Sequence, residues 1–172
     1  MAEKEYLIKE KFDHSGIFDF KGFYSYAYSW FQDEGYGVIE DKYSEKVSGN
    51  SRDIKVDWST SRKLSDYFQI EMRIKFEVSG LTDVEVEIDN QRKQMNKGKI
   101  SVEVKALLNK DPESKWDANP VTRFLRDLYD KYVIPKRVYD MRNTVIEDVT
   151  SFKEELKAYL EVMGRRQLST VK

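Results

Sequence analysis

From Tyr36 to Asn109 the spacing of apolar side chains has a period of two, broken by polar turns, and this constrains the fold more than any other feature of the chain. The cleanest stretch is 67–78, where Phe68, Ile70, Met72, Ile74, Phe76 and Val78 share one side and Gln69, Glu71, Arg73, Lys75 and Glu77 the other. Successive side chains of a strand point to opposite faces, so the pattern predicts strands with one dry and one wet face. One-sided alternation marks an antiparallel sheet. The same signal runs through Ile54, Val56 and Trp58, then Val84, Val86 and Ile88, then Ile100, Val102, Val104, Ala106 and Leu108. Gly49–Asn50, Gly80, Asp89–Arg92 and Asn96–Gly98 punctuate it as turns, and short connections predict a meander. With residues 38–47 and a first strand over 5–13 (Tyr6, Ile8 and Phe12 on one side), the expectation is about six strands.

Two segments have a different period. In residues 18–36, Phe18, Phe20, Phe23, Tyr24, Tyr26, Tyr28, Trp30, Phe31 and Tyr36 crowd together. Apolar residues at 20, 23, 24, 27, 30 and 31 have helical spacing. Asp19 is placed to cap this helix with its carboxylate, Phe18 and Phe23 to staple it, and Gly35 to end it. Toward the C-terminus, Asn119–Pro120 opens a second helical region as N-cap and N1. Phe124, Leu125, Leu128, Tyr129 and Tyr132 follow at helical spacing, and Pro135 predicts a kink or break. Val145, Val149, Phe152, Leu156, Tyr159 and Met163 then form a stripe ending at Gly164, and residues 165–172 read as a frayed tail. Residues 136–163 as one helix would span about 42 Å. The fold class expected is therefore α+β: an antiparallel sheet with one aromatic-rich N-terminal helix and long C-terminal helices packed on one face.

The 172 residues suit a single domain, 1–172, with an ordered core over 5–163. There is no cysteine, which excludes thiol catalysis, thiolate metal sites and disulfides. Thirty Lys+Arg against 31 Asp+Glu, interleaved, lack the basic excess that phosphate recognition uses, so nucleic acid is not expected. The N-terminal residues interleave charges with apolar side chains and carry no secretion-signal run, and no segment approaches the roughly 20 apolar residues that span a bilayer. The expectation is a cytoplasmic protein without a membrane partner.

Strand, helix, a run of antiparallel strands and a long C-terminal helix, over roughly residues 5–163, resemble in element order the helix-grip superfamily of START and Bet v 1-like domains. That resemblance implies a curved sheet around the last helix, often with an apolar cavity between them. Such domains commonly have two short helices after the first strand, where this chain has one, and an unbroken last helix, where this chain has Pro135. Members carry lipids or hormones, act as cyclases or hydrolases, or serve as co-chaperones, so the resemblance leaves function open.

No catalytic residue stands out. His14, the single histidine, lacks visible partners and reads as a loop residue. Asp83, Glu85, Glu87 and Asp89 alternate along one strand and read as its wet side facing Lys and Arg rather than as a metal site. Neither a phosphate loop nor a nucleophile elbow occurs, and no cofactor is implied. An enzyme would need Asp57, Tyr67 or Gln69 to enter a cavity, and alternation places all three on the wet face. The surplus of aromatics is the remaining signal. One helix buries only one stripe, so Tyr24, Tyr26 and Tyr28, with Tyr36, are the candidate binding residues, lining a cavity or a partner surface. The leading expectation is a non-enzymatic module binding an apolar small molecule or a protein. The alternative is an assembly protein forming a homo-oligomer through its C-terminal helices or a sheet edge.

Overall fold

A computed structural model of the chain describes residues 3–115, 118–133 and 135–168. In chain order they form β1 (Glu3–Phe18), α1 (Phe20–Asp33), β2 (Gly37–Ser48), β3 (Ser51–Lys63), β4 (Phe68–Ile88), β5 (Gln91–Lys110), α2 (Pro120–Leu128), a π turn (Tyr129–Val133) and α3 (Pro135–Leu168). The architecture is α+β. Strands β2 to β5 form an antiparallel meander and β1 closes onto β5, giving the order β1-β5-β4-β3-β2.

The sheet has five strands rather than about six because two expected turns are not turns. Gly80 sits at φ +61° within a register shift between Ser79 and Thr82, and β4 continues through it. Opposite it, Asn96–Gly98 remains in β5. A bulge of this kind bends a strand without ending it. The real turn is Asp89–Asn90, both residues with positive φ (53° and 61°), as a two-residue hairpin requires. Likewise β1 does not stop at His14 but pairs with β5 as far as Phe18. A register shift between Tyr6 and Ile8 also puts Tyr6 opposite Leu107 and 56% exposed, away from Ile8 and Phe12.

One face of the sheet is dry, as the alternation requires. Ile54, Val56, Trp58, Ile70, Met72, Ile74, Phe76, Ile100, Val102 and Val104 are buried there with Phe23, Phe31, Val145, Val149, Phe152 and Leu156 of α1 and α3. The opposite face is a charged lattice. One row across all five strands reads Lys11, Glu103, Lys75, Asp57, Lys42, with the sign changing at every step. Cross-strand opposite charges are favourable, and the apolar side chains on this face are few, Tyr6 and Ile39 standing exposed among the charges.

Asp19 precedes α1, but its side chain makes no cap hydrogen bond. Asn96 of β5 supplies that acceptor instead, taking the Phe20 N–H at 3.1 Å. At the other end the left-handed Gly35 (φ +79°) lets the Tyr36 N–H reach back to the Phe31 carbonyl at 2.8 Å. Helix α3 runs through Gly164 to Leu168, beyond the expected stop, and residues 169–172 of the expected tail lie outside the described residues. Only α3 of the C-terminal helices packs on the sheet, since α2 has no buried residue.

Candidate functional site

The four tyrosines do not converge on one site. Tyr24 and Tyr28, one turn apart, look toward Trp58 of β3, with ring centroids 4.9 and 6.0 Å from it. The Tyr24 hydroxyl donates to Glu40, and the Trp58 indole N–H lies 3.5 Å from the same carboxylate. Burial and then the Glu40 bond push Tyr24 up to about 12. Tyr28 is exposed at the margin of this cluster.

Tyr36 belongs to the core. It is 3% exposed, and its hydroxyl donates to Asp148 Oδ2 of α3 at 2.6 Å. The Arg62 guanidinium lies 4.9 Å over its ring, 3.5 Å from the same carboxylate, and donates to the Glu34 carbonyl at 2.8 Å. Together these three side chains tie the end of α1 and β3 to the middle of α3. Burial, then the hydrogen bond to Asp148, hold the Tyr36 proton far above the ordinary phenol range. A structural tie accounts for this residue.

Tyr26 is turned the other way, toward α3. Its ring stacks on Tyr159 with centroids 4.9 Å apart and planes 21° from parallel, and its hydroxyl donates to Glu155 at 3.1 Å. Beside the stacked pair lies an open groove of about 340 Å3 lined by Tyr26, Glu155, Ala158, Tyr159, Val162 and Met163. Gly22 makes the approach of the helices possible. A Cβ there would lie 2.6 Å from the Tyr159 hydroxyl and 2.5 Å from Asp19 Oδ2. The groove is mostly apolar, with one carboxylate at its edge.

Under α1 and α3 the space is occupied by rings. Phe31 lies 4.6 Å from Phe152, Trp30 5.0 Å from Phe152, Trp58 4.9 Å from Phe76 and Phe23 5.9 Å from Phe76. These are ordinary edge-to-face and tilted contacts of a filled core.

His14 lies within β1 and not in a loop, its ring 6.1 Å from Phe18. Desolvation lowers its pKa against the attraction of Glu161. Asp83 meets Arg52 at 2.9 Å and Asn96 at 2.8 Å, and Glu85 meets Arg92 at 3.7 Å, so these two members of the acidic strand side face cations as expected. Among the described residues no three His, Asp or Glu are grouped to hold a metal. Asp57 and Gln69 face outward. Tyr67, expected beside them, instead precedes β4, is buried, and donates to Asp130 at 2.8 Å. Alternation misplaced it because the strand begins one residue later.

The C-terminal helices were expected to pack on one face of the sheet, and α2 does not. Val121, Phe124, Leu125 and Leu128, with Tyr132 of the π turn, are between 37% and 69% exposed. The Arg126 side chain is only 15% exposed. The amphipathic helix is inside out. Its N-terminus is nonetheless well made, with Asn119 accepting from Val121 and Thr122 N–H and Thr122 reaching back to the Asn119 N–H.

Among the described residues no helix is long and apolar enough to cross a membrane. No protein-family model, curated protein or solved structure matches the chain.

Proposed function

We propose that the chain is a non-enzymatic binding module, and that its ligand is an apolar molecule with a hydrogen-bond-donating or cationic head, held in the groove between α1 and α3. The observation that carries this reading is the groove itself. Its volume of about 340 Å3 lies within the range of small-molecule sites, roughly 300–1,000 Å3, and its lining follows their rule of apolar walls with few polar groups. Tyr159, Ala158, Val162 and Met163 offer the apolar floor, and Glu155 offers the acceptor. The element order supports a helix-grip-like assignment, with the difference that rings fill the interior and the ligand lies outside, along the last helix.

Native mass spectrometry of freshly purified protein, compared with the denatured mass, tests the reading directly. A bound mass released on denaturation is expected. The probe pair is a long-chain alkylamine and the fatty acid of equal length, because Glu155 favours the amine. Tyr26→Ala should weaken binding of the amine with little loss of stability. Ala158→Trp, at an exposed position, should fill the groove and abolish binding. Tyr28→Ala, on the opposite flank of α1, should leave binding unchanged. Absence of binding by either probe together with a bare native mass refutes the proposal, and equal affinity for the two probes removes the role of Glu155.

A further inference from the structure

We infer that the outward face of α2 is a homodimer interface, occupied by α2 of a second copy of this chain. The inference is independent of the groove at the far end of α3. The first observation is the inverted helix: Val121, Phe124, Leu125, Leu128 and Tyr132 stand in water while Arg126 is turned inward. A nine-residue helix is too short to be stable alone, and α2 buries no residue in its own chain, so its capping box is the main local support. A covering surface supplies what the chain does not.

The area suits a second copy. Phe124 and Tyr132 carry on the order of 150–250 Å2 each and the three aliphatic side chains less, so at the observed exposures up to roughly 500 Å2 stands in water on each copy. Two copies together bury up to about 1,000 Å2 of it, which reaches the size of a specific interface once a polar rim is added. A single scattered hydrophobic side chain would need no explanation, whereas a contiguous patch of this size does.

The patch is also self-complementary. Symmetric dimers use the same surface twice, related by a two-fold axis. An antiparallel pairing about the midpoint of Leu125 and Leu128 sets each leucine against the other of the second copy. It also sets Val121 against Tyr132, small against large, at both ends. The charge is nearly balanced: with Arg126 and Asp130 on the inner side, Arg123 and Lys131 stand against Asp127. Two copies therefore approach without strong repulsion.

The test is analytical ultracentrifugation of the full chain from low-micromolar to sub-millimolar concentration. A monomer–dimer equilibrium is expected, and Phe124→Asp or Leu128→Asp should weaken it by about tenfold or more. Both positions are exposed, so far-UV circular dichroism and the thermal midpoint of the diluted variants should match the parent. The cysteine-free background gives a second readout. Leu125→Cys should be cross-linked between chains by a short bis-maleimide, and Val162→Cys in the groove should not. A monomer at every concentration overturns the inference, even if the chain then captures some other protein. So does a dimer that both aspartate variants leave intact.

Discussion

Removing one oxygen from the core, by Tyr36→Phe, should give a stability loss with a distinctive pH dependence. The hydroxyl donates to the Asp148 carboxylate at 2.6 Å, a charge-assisted bond in a residue 3% exposed. Hydrogen bonds to charged groups contribute roughly 1.5–3 kcal/mol. Asp148 keeps Arg62 at 3.5 Å, and phenylalanine keeps the ring under the guanidinium, so the lower half of that range is expected, about 1.5–2 kcal/mol at neutral pH. Alkali then reverses the comparison. The Tyr36 pKa is raised in the folded protein, so its contribution is present in full below the unfolded value of 10.0 and is lost as pH rises above it. Between those limits the parent loses about 1.4 kcal/mol per pH unit through this one group, and the variant does not. The gap between the two proteins should therefore close roughly one to one and a half units above 10. Urea denaturation of both proteins across pH 7–12 measures it, and every other titrating group cancels in the difference. A neutral-pH gap under about 0.5 kcal/mol, or one that stays constant into alkali, would refute the buried tie between Tyr36 and Asp148.

Phe152→Ala should cost about 3–5 kcal/mol, because the ring is fully buried between Trp30 and Phe31, and urea denaturation at neutral pH reads it. Gly98→Ala should cost about 1–3 kcal/mol in the same assay: a Cβ would lie 3.0 Å from the Ser79 carbonyl oxygen and 3.1 Å from the Leu81 Cα, both backbone atoms that cannot step aside. Gly22→Ala should leave stability nearly unchanged, since the gain in helix propensity of about 0.8–1 kcal/mol opposes the displacement of Tyr159, but ring-ring contacts between Tyr26 and Tyr159 should vanish from nuclear Overhauser spectra. Asn119→Ala should loosen α2 by about 1 kcal/mol, seen as faster amide exchange over residues 121–125 with the sheet unaffected.

Much of the fold was legible because its causes are local. Alternation in Phe68–Val78 and Ile100–Leu108 reports burial on one face, and it located the dry side of β4 and β5. Gly35 and the Asn119–Pro120 pair each act within one turn of chain. Errors arose where the cause lies far away in sequence. Gly80 and Gly98 look like turn residues, yet they absorb a bulge whose partner strand is visible only after pairing. Asp19 looks like a cap, but Asn96, 76 residues distant from Phe20, takes the amide. The aromatic run exceeds one helical stripe: α1 buries Phe23, Ala27, Trp30 and Phe31 and leaves its tyrosines at the flanks. Its members then divide between Trp58 on one flank and Tyr159 on the other, because residues 24 and 26 are about 200° apart on a helix of 3.6 residues per turn.

The stripe of α2 was visible in the sequence, and its direction was not. Helical spacing says that Val121, Phe124, Leu125, Leu128 and Tyr132 share a face; it does not say what that face meets. Two features of the chain turn it outward. Five residues of π geometry, Tyr129–Val133, follow α2 and depart from the α-helical phase. The hydroxyl of buried Tyr67 then holds Asp130 on the inner side. A bond of that kind contributes roughly 1.5–3 kcal/mol. The apolar surface left in water is on the order of 500 Å2, a gross gain of about 12 kcal/mol at 25 cal/mol per Å2 on covering, before the cost of association is subtracted. That second figure is several times the first, so the orientation of α2 is a poor arrangement for an isolated chain and a good one for a chain that meets its own copy.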